Sequence, residues 1–262
     1  MRKIHVLFKK EEIDGNKISN CVAVIIDVLL ATSTIAAVIH AGAKRVIPVL
    51  DDEEAFEVSH SIEPNDTFIL AGELGGYPLK GFENPDPEKL LDLDLFGKTL
   101  ILSTTNGTVA VKKSVNAAAI YTSSLLNGAA VAEKICEDNG NHTVLIICSG
   151  SKGRVSVEDL VGAGQLIHEL QKNRAWVLSD AASIALHFYI SQKNRLVDLL
   201  QNSETGRLLS SLGSKKVSEF VSRINSIRVV PNLKAHSNKV MALEDGFRKI
   251  DMNLEELEWK EL

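Results

Sequence analysis

The chain has 262 residues, a hydrophobic fraction of 45% and a net charge of −5, and no basic and aromatic stripe suggests nucleic-acid binding. Its three cysteines lie far apart and form no CxxC pair, so neither a disulfide framework nor a zinc site is expected. No apolar run suits a membrane span of roughly 18 residues or a signal peptide, so we expect a cytoplasmic protein without membrane contact.

The first half of the chain alternates apolar, β-branched runs with segments of helical periodicity. Strands are predicted over residues 4–8, 21–26, 45–50, 67–71 and 99–102. A helix that presents Ile35, Val38 and Ile39 on one face is expected to end at Gly42. Further helices are predicted over 53–61 and 109–115. Residues 77–94 contain three prolines, which predicts a long loop.

The second half continues this alternation, which indicates a sheet covered by helices. Strands are predicted over residues 118–122, 144–147, 176–178 and 227–230, the last stopped by Pro231. Helices are predicted over 125–136, 181–191, 195–201, 205–212 and 217–224, besides a longer one that begins after Ser156. Residues 232–262 are predicted to be a polar C-terminal tail, in which 254–262 form an acidic amphipathic docking helix.

The strand, loop and helix of residues 144–170 carry the clearest pattern of a binding site. Ser149, Lys152 and Arg154 lie in a glycine-rich loop that precedes a helix, and such a loop favours a bound anion. The alternative is that Arg154 only pairs with a carboxylate. Both interpretations remain open on this stretch.

The first turn of the same helix carries two carboxylates. Ser156 is a plausible N-cap with Asp159 three residues later, an approximate capping box. Glu158 and Asp159 could also hold Mg²⁺, a hard cation that takes oxygen ligands. The alternative is that Ser156 and Asp159 only cap the helix.

Other predicted strands also end in polar turns. Asp27 follows a buried strand and precedes the hydroxyls of Thr32 and Ser33, so it is either a metal ligand or nucleophile, or else a turn residue. Glu73 lies among glycines that allow close approach to a ligand. Residues 104–108, TTNGT, suit oxyanion binding or form a plain N-cap with an Asn-Gly turn. Because ligands bind outside the carboxyl ends of strands in open α/β sheets, these turns suggest one shared site.

The chain resembles the 2-phosphosulfolactate phosphatases, the ComB family, over about residues 26–231. The matching motifs occur in family order as IDVLLATSTIAAVIHAGAKRVIPV, AGELGG with the following GFEN, STTNGT, SSLLNGAAVA, CSGSKGRVSVEDLVGAGQLI, LSDAA, GRLLSSLG and VVP. The resemblance implies one three-layer α/β/α domain with a largely parallel or mixed sheet, with two similar subdomains as the alternative. It also implies an enzyme, a Mg²⁺-dependent phosphoric monoester hydrolase that converts 2-phospho-3-sulfolactate to sulfolactate and phosphate.

The resemblance assigns roles to the candidate residues. The residues expected to take part in catalysis are Asp27, Asp159 and Arg154, and those expected to hold Mg²⁺ are Asp27, Glu73, Glu158 and Asp159. Those expected to bind the small anionic phosphate ester are Thr32, Ser33, Thr105, Asn106, Gly107, Thr108, Ser149, Lys152, Arg154 and Arg207. Direct attack by water is preferred over a phospho-aspartyl route through Asp27, because Leu29 stands where a second aspartate would be needed.

Three sites depart from the family pattern, and two of them leave the substrate open. After GFEN, Pro85-Asp86-Pro87 replaces the usual Gly-Asn-Ser-Pro-type segment. Leu30 stands where the family has an arginine, and Thr205 stands where it has a histidine. The alternatives are therefore a metal-dependent phosphatase of another small phosphorylated acid, or a weakly active anion-binding protein. A homodimer is a possible assembly.

Overall fold

The structure, a computed structural model, describes residues 2–137, 141–235 and 241–246. The helix predicted over 254–262 and much of the tail predicted over 232–262 lie outside the described residues. No helix of the described residues is long and apolar enough to cross a membrane.

The described residues form one mixed, mostly parallel sheet with helices on both faces, a three-layer α/β/α fold that confirms the predicted fold class. The strands are β1 (Lys3–Leu7), β2 (Cys21–Ile26), β3 (Arg45–Val49), β4 (Phe68–Leu74), β5 (Tyr77–Pro78), β6 (Thr99–Ser103), β7 (Ala119–Ser123), β8 (Thr143–Cys148), β9 (Val177–Leu178), β10 (Pro231–Ala235) and β11 (Met241–Asp245). Their order across the sheet is β5-β4-β6-β3-β11-β10-β7-β2-β8-β1-β9.

Ten α-helices fall within the described residues, together with a short 3-10 helix over Lys10–Glu12. They are α1 (Ala31–His40), α2 (Asp52–Ser61), α3 (Pro87–Leu91), α4 (Gly107–Lys113), α5 (Gly128–Glu137), α6 (Val157–Asn173), α7 (Asp180–Gln192), α8 (Leu196–Gln201), α9 (Glu204–Ser211) and α10 (Val217–Val221). The predicted helices that fall within the described residues are confirmed within about three residues, as are all predicted strands except the last.

Three of the predictions about irregular or terminal segments are wrong. The long loop predicted over 77–94 contains β5 and the short helix α3, whose first turn is capped by Asp86 and opened by Pro87. The strand predicted over 227–230 is absent from that stretch, and Pro231 instead begins β10, since proline is tolerated at the first residue of a strand. Residues 231–235 and 241–245 are therefore central strands of the sheet, whereas the sequence predicted a polar tail.

The hairpin of β10 and β11 joins two parallel blocks of strands. The three-stranded block is β4, β6 and β3, and the five-stranded block is β7, β2, β8, β1 and β9. Successive antiparallel pairings of β3 with β11, β11 with β10 and β10 with β7 separate them, so the two blocks run in opposite senses. Two residue pairs within the described residues fix the register of the hairpin against the neighbouring strands. Leu243 pairs with Val46 of β3, and Asn232 pairs with Tyr121 of β7.

Helix α1, whose residues from Ala31 to Ile39 are all buried, packs against strands of both blocks and of the hairpin, namely β3, β7, β10 and β11. One hydrophobic cluster combines Ile25 of β2 with Ile35 of α1 and with Val46 and Leu100 of the other block. A flat sheet of opposed blocks would place their carboxyl ends at opposite edges. In this protein, the carboxyl ends of β2 and β8 and those of β4 and β6 instead lie around one cavity.

Candidate active site

Polar loops from both blocks meet around a cavity of about 350 Å³. Side chains that line it include Leu29, Leu30, Glu73, Thr105, Asn106, Lys152 and Arg207. They lie after the carboxyl ends of β2, β6 and β8, apart from Glu73, which lies in the last two residues of β4, and Arg207, which is contributed by α9. The structure thus brings together loops that the sequence analysis had grouped into one predicted site.

Asp27 lies buried at the junction of the two blocks, with 6% of its surface exposed. The backbone N–H of Gly107, at the start of α4, donates a hydrogen bond to its carboxylate. A side chain at position 107 would place its Cβ 2.4 Å from the Cβ of Ala31 and 2.7 Å from Asp27 Oδ2. Glycine is therefore required at position 107 for the loop after β6 to approach the aspartate.

Asp159 connects two of the strand-end loops. Its Oδ1 accepts a hydrogen bond of 3.0 Å from the Val28 N–H, and its Oδ2 accepts one of 2.9 Å from the Gly150 N–H. Its own N–H is capped by the hydroxyl of Ser156, as the sequence predicted. Asp159 therefore has a structural role in joining the loops after β2 and β8, besides any role in catalysis.

Burial makes the two aspartates weak acids. Burial raises the pKa of Asp27 to about 7, and the negative charges of Glu73 and Glu158 contribute to this rise, while the charge of Lys10 opposes it. Burial, followed by the charges of Asp27 and Glu158, also raises the pKa of Asp159 well above its usual range. These buried acids therefore repel one another when ionised, and a bound cation would relieve the repulsion.

Glu73 is held by the loop of the neighbouring strand. Its Oε1 accepts a hydrogen bond of 2.7 Å from the Thr105 N–H, and its Oε2 accepts bonds from the Thr105 hydroxyl at 3.0 Å and the Gly76 N–H at 2.6 Å. The Gly75 N–H in turn donates to the Thr105 hydroxyl at 2.8 Å. The carboxylate thereby fixes the loop around 73–76 against the TTNGT turn.

Several predicted substrate-binding hydroxyls serve the backbone of the loops. The Thr32 hydroxyl donates to Asp27 O and accepts from Asp27 N–H, at 2.9 and 3.0 Å. The Ser33 hydroxyl donates to Val28 O at 2.9 Å, and the Thr108 hydroxyl donates to Thr104 O at 2.8 Å. All three side chains are buried and lie outside the set that lines the cavity among the described residues.

The predicted cationic residues occupy different positions around the cavity. Lys152 and Arg207 line it, and Lys152 adopts a left-handed backbone with a φ of 52°. Arg154 is exposed, and its guanidinium donates a hydrogen bond of 2.8 Å to Glu204, the carboxylate pairing that the sequence analysis had kept as its alternative. The Ser149 hydroxyl is buried and has no hydrogen-bond partner among the described residues.

Lys10 was not among the predicted site residues. It lies on the 3-10 helix after β1 with 8% of its surface exposed, and its ammonium donates a hydrogen bond of 2.7 Å to Asn106 Oδ1. The only local signal is a pair of lysines in a connection that reads as polar and solvated. Its burial depends on the convergence of the loops, which no local pattern shows.

The carboxylates fit Mg²⁺ only in the manner of a partly hydrated site. No group of three or more His, Cys, Asp or Glu side chains within the described residues is placed to hold a metal ion. The four predicted ligands are therefore not gathered into one set. However, Mg²⁺ is usually bound through one or two carboxylates together with waters and substrate phosphates. Asp27 with Glu158 or Asp159, buried acids whose charges interact, fits that description.

Comparison with known proteins matches nearly the whole chain to one family. The family model described as 2-phosphosulpholactate phosphatase matches residues 7–250. A probable 2-phosphosulfolactate phosphatase of Caldanaerobacter subterraneus subsp. tengcongensis is 35% identical over 212 residues, which cover 80% of this chain and 87% of that protein. Proteins of the same name from Clostridium acetobutylicum and Clostridium perfringens are 35% and 32% identical over 231 and 248 residues. These alignments cover 87% and 94% of this chain, and 96% and 98% of the two relatives.

Proposed function

Because the chain belongs to the 2-phosphosulfolactate phosphatase family, we propose that it is a Mg²⁺-dependent enzyme that hydrolyses 2-phospho-3-sulfolactate to sulfolactate and phosphate. The observation that supports this most is a cavity lined by Glu73, Lys152 and Arg207. Two of its other lining residues, Leu29 and Asn106, lie within two residues of the buried Asp27 and of its hydrogen-bond donor Gly107. Acids and cations at one cavity suit a metal on one side of a phosphate ester and anion-binding groups on the other.

Asp27, with Glu158 or Asp159, would hold Mg²⁺. When bound, Mg²⁺ supplies charge neutralisation and Lewis-acid chemistry toward a phosphoryl oxygen. Asp159 holds the loops after β2 and β8 in register, because each of its oxygens accepts a backbone N–H. We retain direct attack by water, since Leu29 gives Asp27 no carboxylate partner two residues later.

The rest of the cavity would bind the anionic substrate. Lys152, Arg207 and Thr105 line the cavity and offer charged or polar contacts to phosphate, carboxylate or sulfonate oxygens. Arg154 would contribute only by exchanging its ion pair with Glu204 for a contact to the substrate. Breaking this ion pair would cost little free energy, because ion pairs at exposed positions contribute about 0–1 kcal/mol.

A second candidate substrate is a small phosphorylated acid without a sulfonate. Leu29, Leu30, Leu208 and Leu209 form an apolar part of the cavity wall. Leucine side chains offer no hydrogen-bond donor to a third anionic group, and burial of an unpaired charge against them is unfavourable. This wall suits a substrate with fewer charges or with an apolar substituent.

Phosphate release from a matched pair of substrates separates these possibilities. We expect release from 2-phospho-3-sulfolactate in Mg²⁺ and none in excess chelator. A preference for 2-phospholactate, which lacks the sulfonate, would favour the second candidate. Full activity in chelator would overturn the metal dependence, and binding of either ester without release would favour an anion-binding protein.

A further inference from the structure

Lys10 connects three loops at the edge of the candidate site. Its backbone N–H donates a hydrogen bond of 3.2 Å to Ser149 O, in the loop after β8. Its ammonium donates to Asn106 Oδ1 at 2.7 Å, in the loop after β6, and forms an ion pair of 3.2 Å with Glu11. Burial of an ammonium is costly unless it is paired, so the position of Lys10 requires these partners.

This contact determines which way the Asn106 amide faces. A lysine ammonium has three donors and no acceptor, so the atom of Asn106 that faces it is the oxygen. The Asn106 nitrogen is consequently the atom left for other contacts, and it has no hydrogen-bond partner among the described residues. Asn106 also lines the cavity, so an available N–H donor lies at the edge of the site.

We propose that Lys10 is a positioning residue that acts through Asn106, holding the amide so that its NH₂ group donates to an anionic oxygen of the bound phosphate ester. This inference rests on the proposed function, because it assigns a binding group for the substrate of the same site. Lys10 does not itself touch the substrate in this arrangement. It acts by excluding the amide orientation that would turn Asn106 Oδ1 toward the anion.

A double-mutant cycle tests the proposal, with inorganic phosphate as the binding probe and ester turnover as a second readout. We expect Lys10→Met and Asn106→Ala each to raise the phosphate Kd about tenfold, the range of a hydrogen bond to a charged group. The double variant should be much less weakened than the sum of the two single losses, because the proposal makes Asn106 the main route by which Lys10 affects the anion. Additive losses would show that Lys10 acts independently and would overturn the proposal.

Two further variants separate positioning from structural support. Asn106→Asp keeps an oxygen toward Lys10 and replaces the NH₂ donor with a carboxylate oxygen, so we expect it to bind phosphate less well than Asn106→Ala. Lys17→Met removes one positive charge from the same connection, where the Lys17 side chain is 82% exposed, and should leave the phosphate Kd unchanged. If Lys17→Met and Lys10→Met weaken phosphate binding equally, the effect of Lys10 is explained by the loss of one positive charge, and the proposal is overturned.

A measurement on the unaltered chain keeps the proposal testable if Lys10→Met does not fold. The side-chain amide signals of Asn106, assigned by their absence in Asn106→Ala, should shift in a nitrogen-15 spectrum when inorganic phosphate is added. Absence of that shift, or absence of any phosphate binding, would overturn the proposal. The protein could instead show non-additive losses in the double-mutant cycle and the Asn106 signal shift, yet no ester hydrolysis. That result would reject the proposed function and keep Lys10 as the positioning residue of an anion-binding site.

Discussion

At the scale of single residues, the buried carboxylate of Asp27 has the clearest consequence for stability. Its pKa is raised from 3.8 to about 7 by burial and by the charges of Glu73 and Glu158. Below about pH 4 the group is protonated in both folded and unfolded chains. Between about pH 4 and pH 7 the folded chain holds a proton that the unfolded chain has lost, so the free energy of unfolding falls as the pH rises. Above about pH 7 this contribution is constant.

Substitution of Asp27 by asparagine should therefore stabilise the metal-free protein while removing its activity. The amide introduced by Asp27→Asn stays neutral at every pH, so we expect the variant to gain on the order of 2–4 kcal/mol over the natural chain at pH 8. The gain should shrink toward zero near pH 4. Thermal unfolding in chelator at pH 4.5, 6 and 8 measures it. A variant less stable than the natural chain at pH 8 would contradict this account of the buried charge.

The candidate site was predictable from the sequence at the level of loops but not of side-chain roles. Asp27, Glu73 and Asn106 each come at the end of an apolar run, which marks them as strand-end residues. However, β2 and the pair β4 and β6 belong to blocks that run in opposite senses, and no local pattern predicts that their carboxyl ends meet. Thr32 resembled a ligand-binding hydroxyl equally well, yet its hydroxyl is bonded to the backbone of Asp27. The pair of lysines at positions 9 and 10 did not indicate that Lys10 is buried, because this burial results from loops that are distant in sequence. Roles that depend on long-range packing cannot be read from a local pattern.

At the scale of elements, glycines allow α6 to pack closely on two sides. The small residues Gly162-Ala163-Gly164 in the middle of a helix predict that the helix approaches the sheet closely. A Cβ at Gly162 would lie 2.8 Å from Val28 Cγ2 and 3.0 Å from Ile26 Cγ2, which confirms that approach. Gly164 instead faces α7, where a Cβ would lie 2.1 Å from Ala185 O. Gly162 thus allows α6 to approach β2 and the loop after it, and Gly164 allows α6 to approach α7.

Gly164→Ala should consequently destabilise the α6–α7 contact without altering chemistry. The added methyl group meets backbone oxygen, which can move only if α7 shifts, so we expect a loss of about 1–3 kcal/mol. Gly15→Ala is the matched control, because the nearest atom to its Cβ would be Asn116 Nδ2 at 3.4 Å. Urea unfolding and ester turnover measure the two effects. Equal stability of both variants would refute the packing argument.

At the scale of the whole molecule, the hairpin of β10 and β11 holds the two blocks of strands together. Leu243 is fully buried, pairs with Val46 of β3, and belongs to the hydrophobic cluster that surrounds α1. The sequence did not reveal this position, because residues 231–235 and 241–245 are short and include Lys234, which is exposed. Sparse, partly charged strands of this kind resemble a surface segment until their pairing partners are known.

Leu243→Ala should lower the free energy of unfolding of both blocks in one shared transition. Loss of a fully buried leucine side chain costs about 2–5 kcal/mol, depending on how far the cavity collapses. Leu50→Ala, at a side chain that is 50% exposed, should change the free energy of unfolding far less. Chemical unfolding followed by tryptophan fluorescence and by circular dichroism measures both. Separate transitions in Leu243→Ala would mean that the blocks unfold independently and that the hairpin does not couple them.

The place of this hairpin in the chain also has a consequence for biosynthesis. Ribosomes produce β1 to β9 before β10 and β11, yet these late strands occupy the middle of the sheet. A growing chain can therefore pair strands within each block but cannot close one block on the other until residues 231–245 have emerged from the exit tunnel. Until then the inner edges of β3 and β7 remain open templates for strands of other molecules. Chaperone binding during synthesis would protect these two edges.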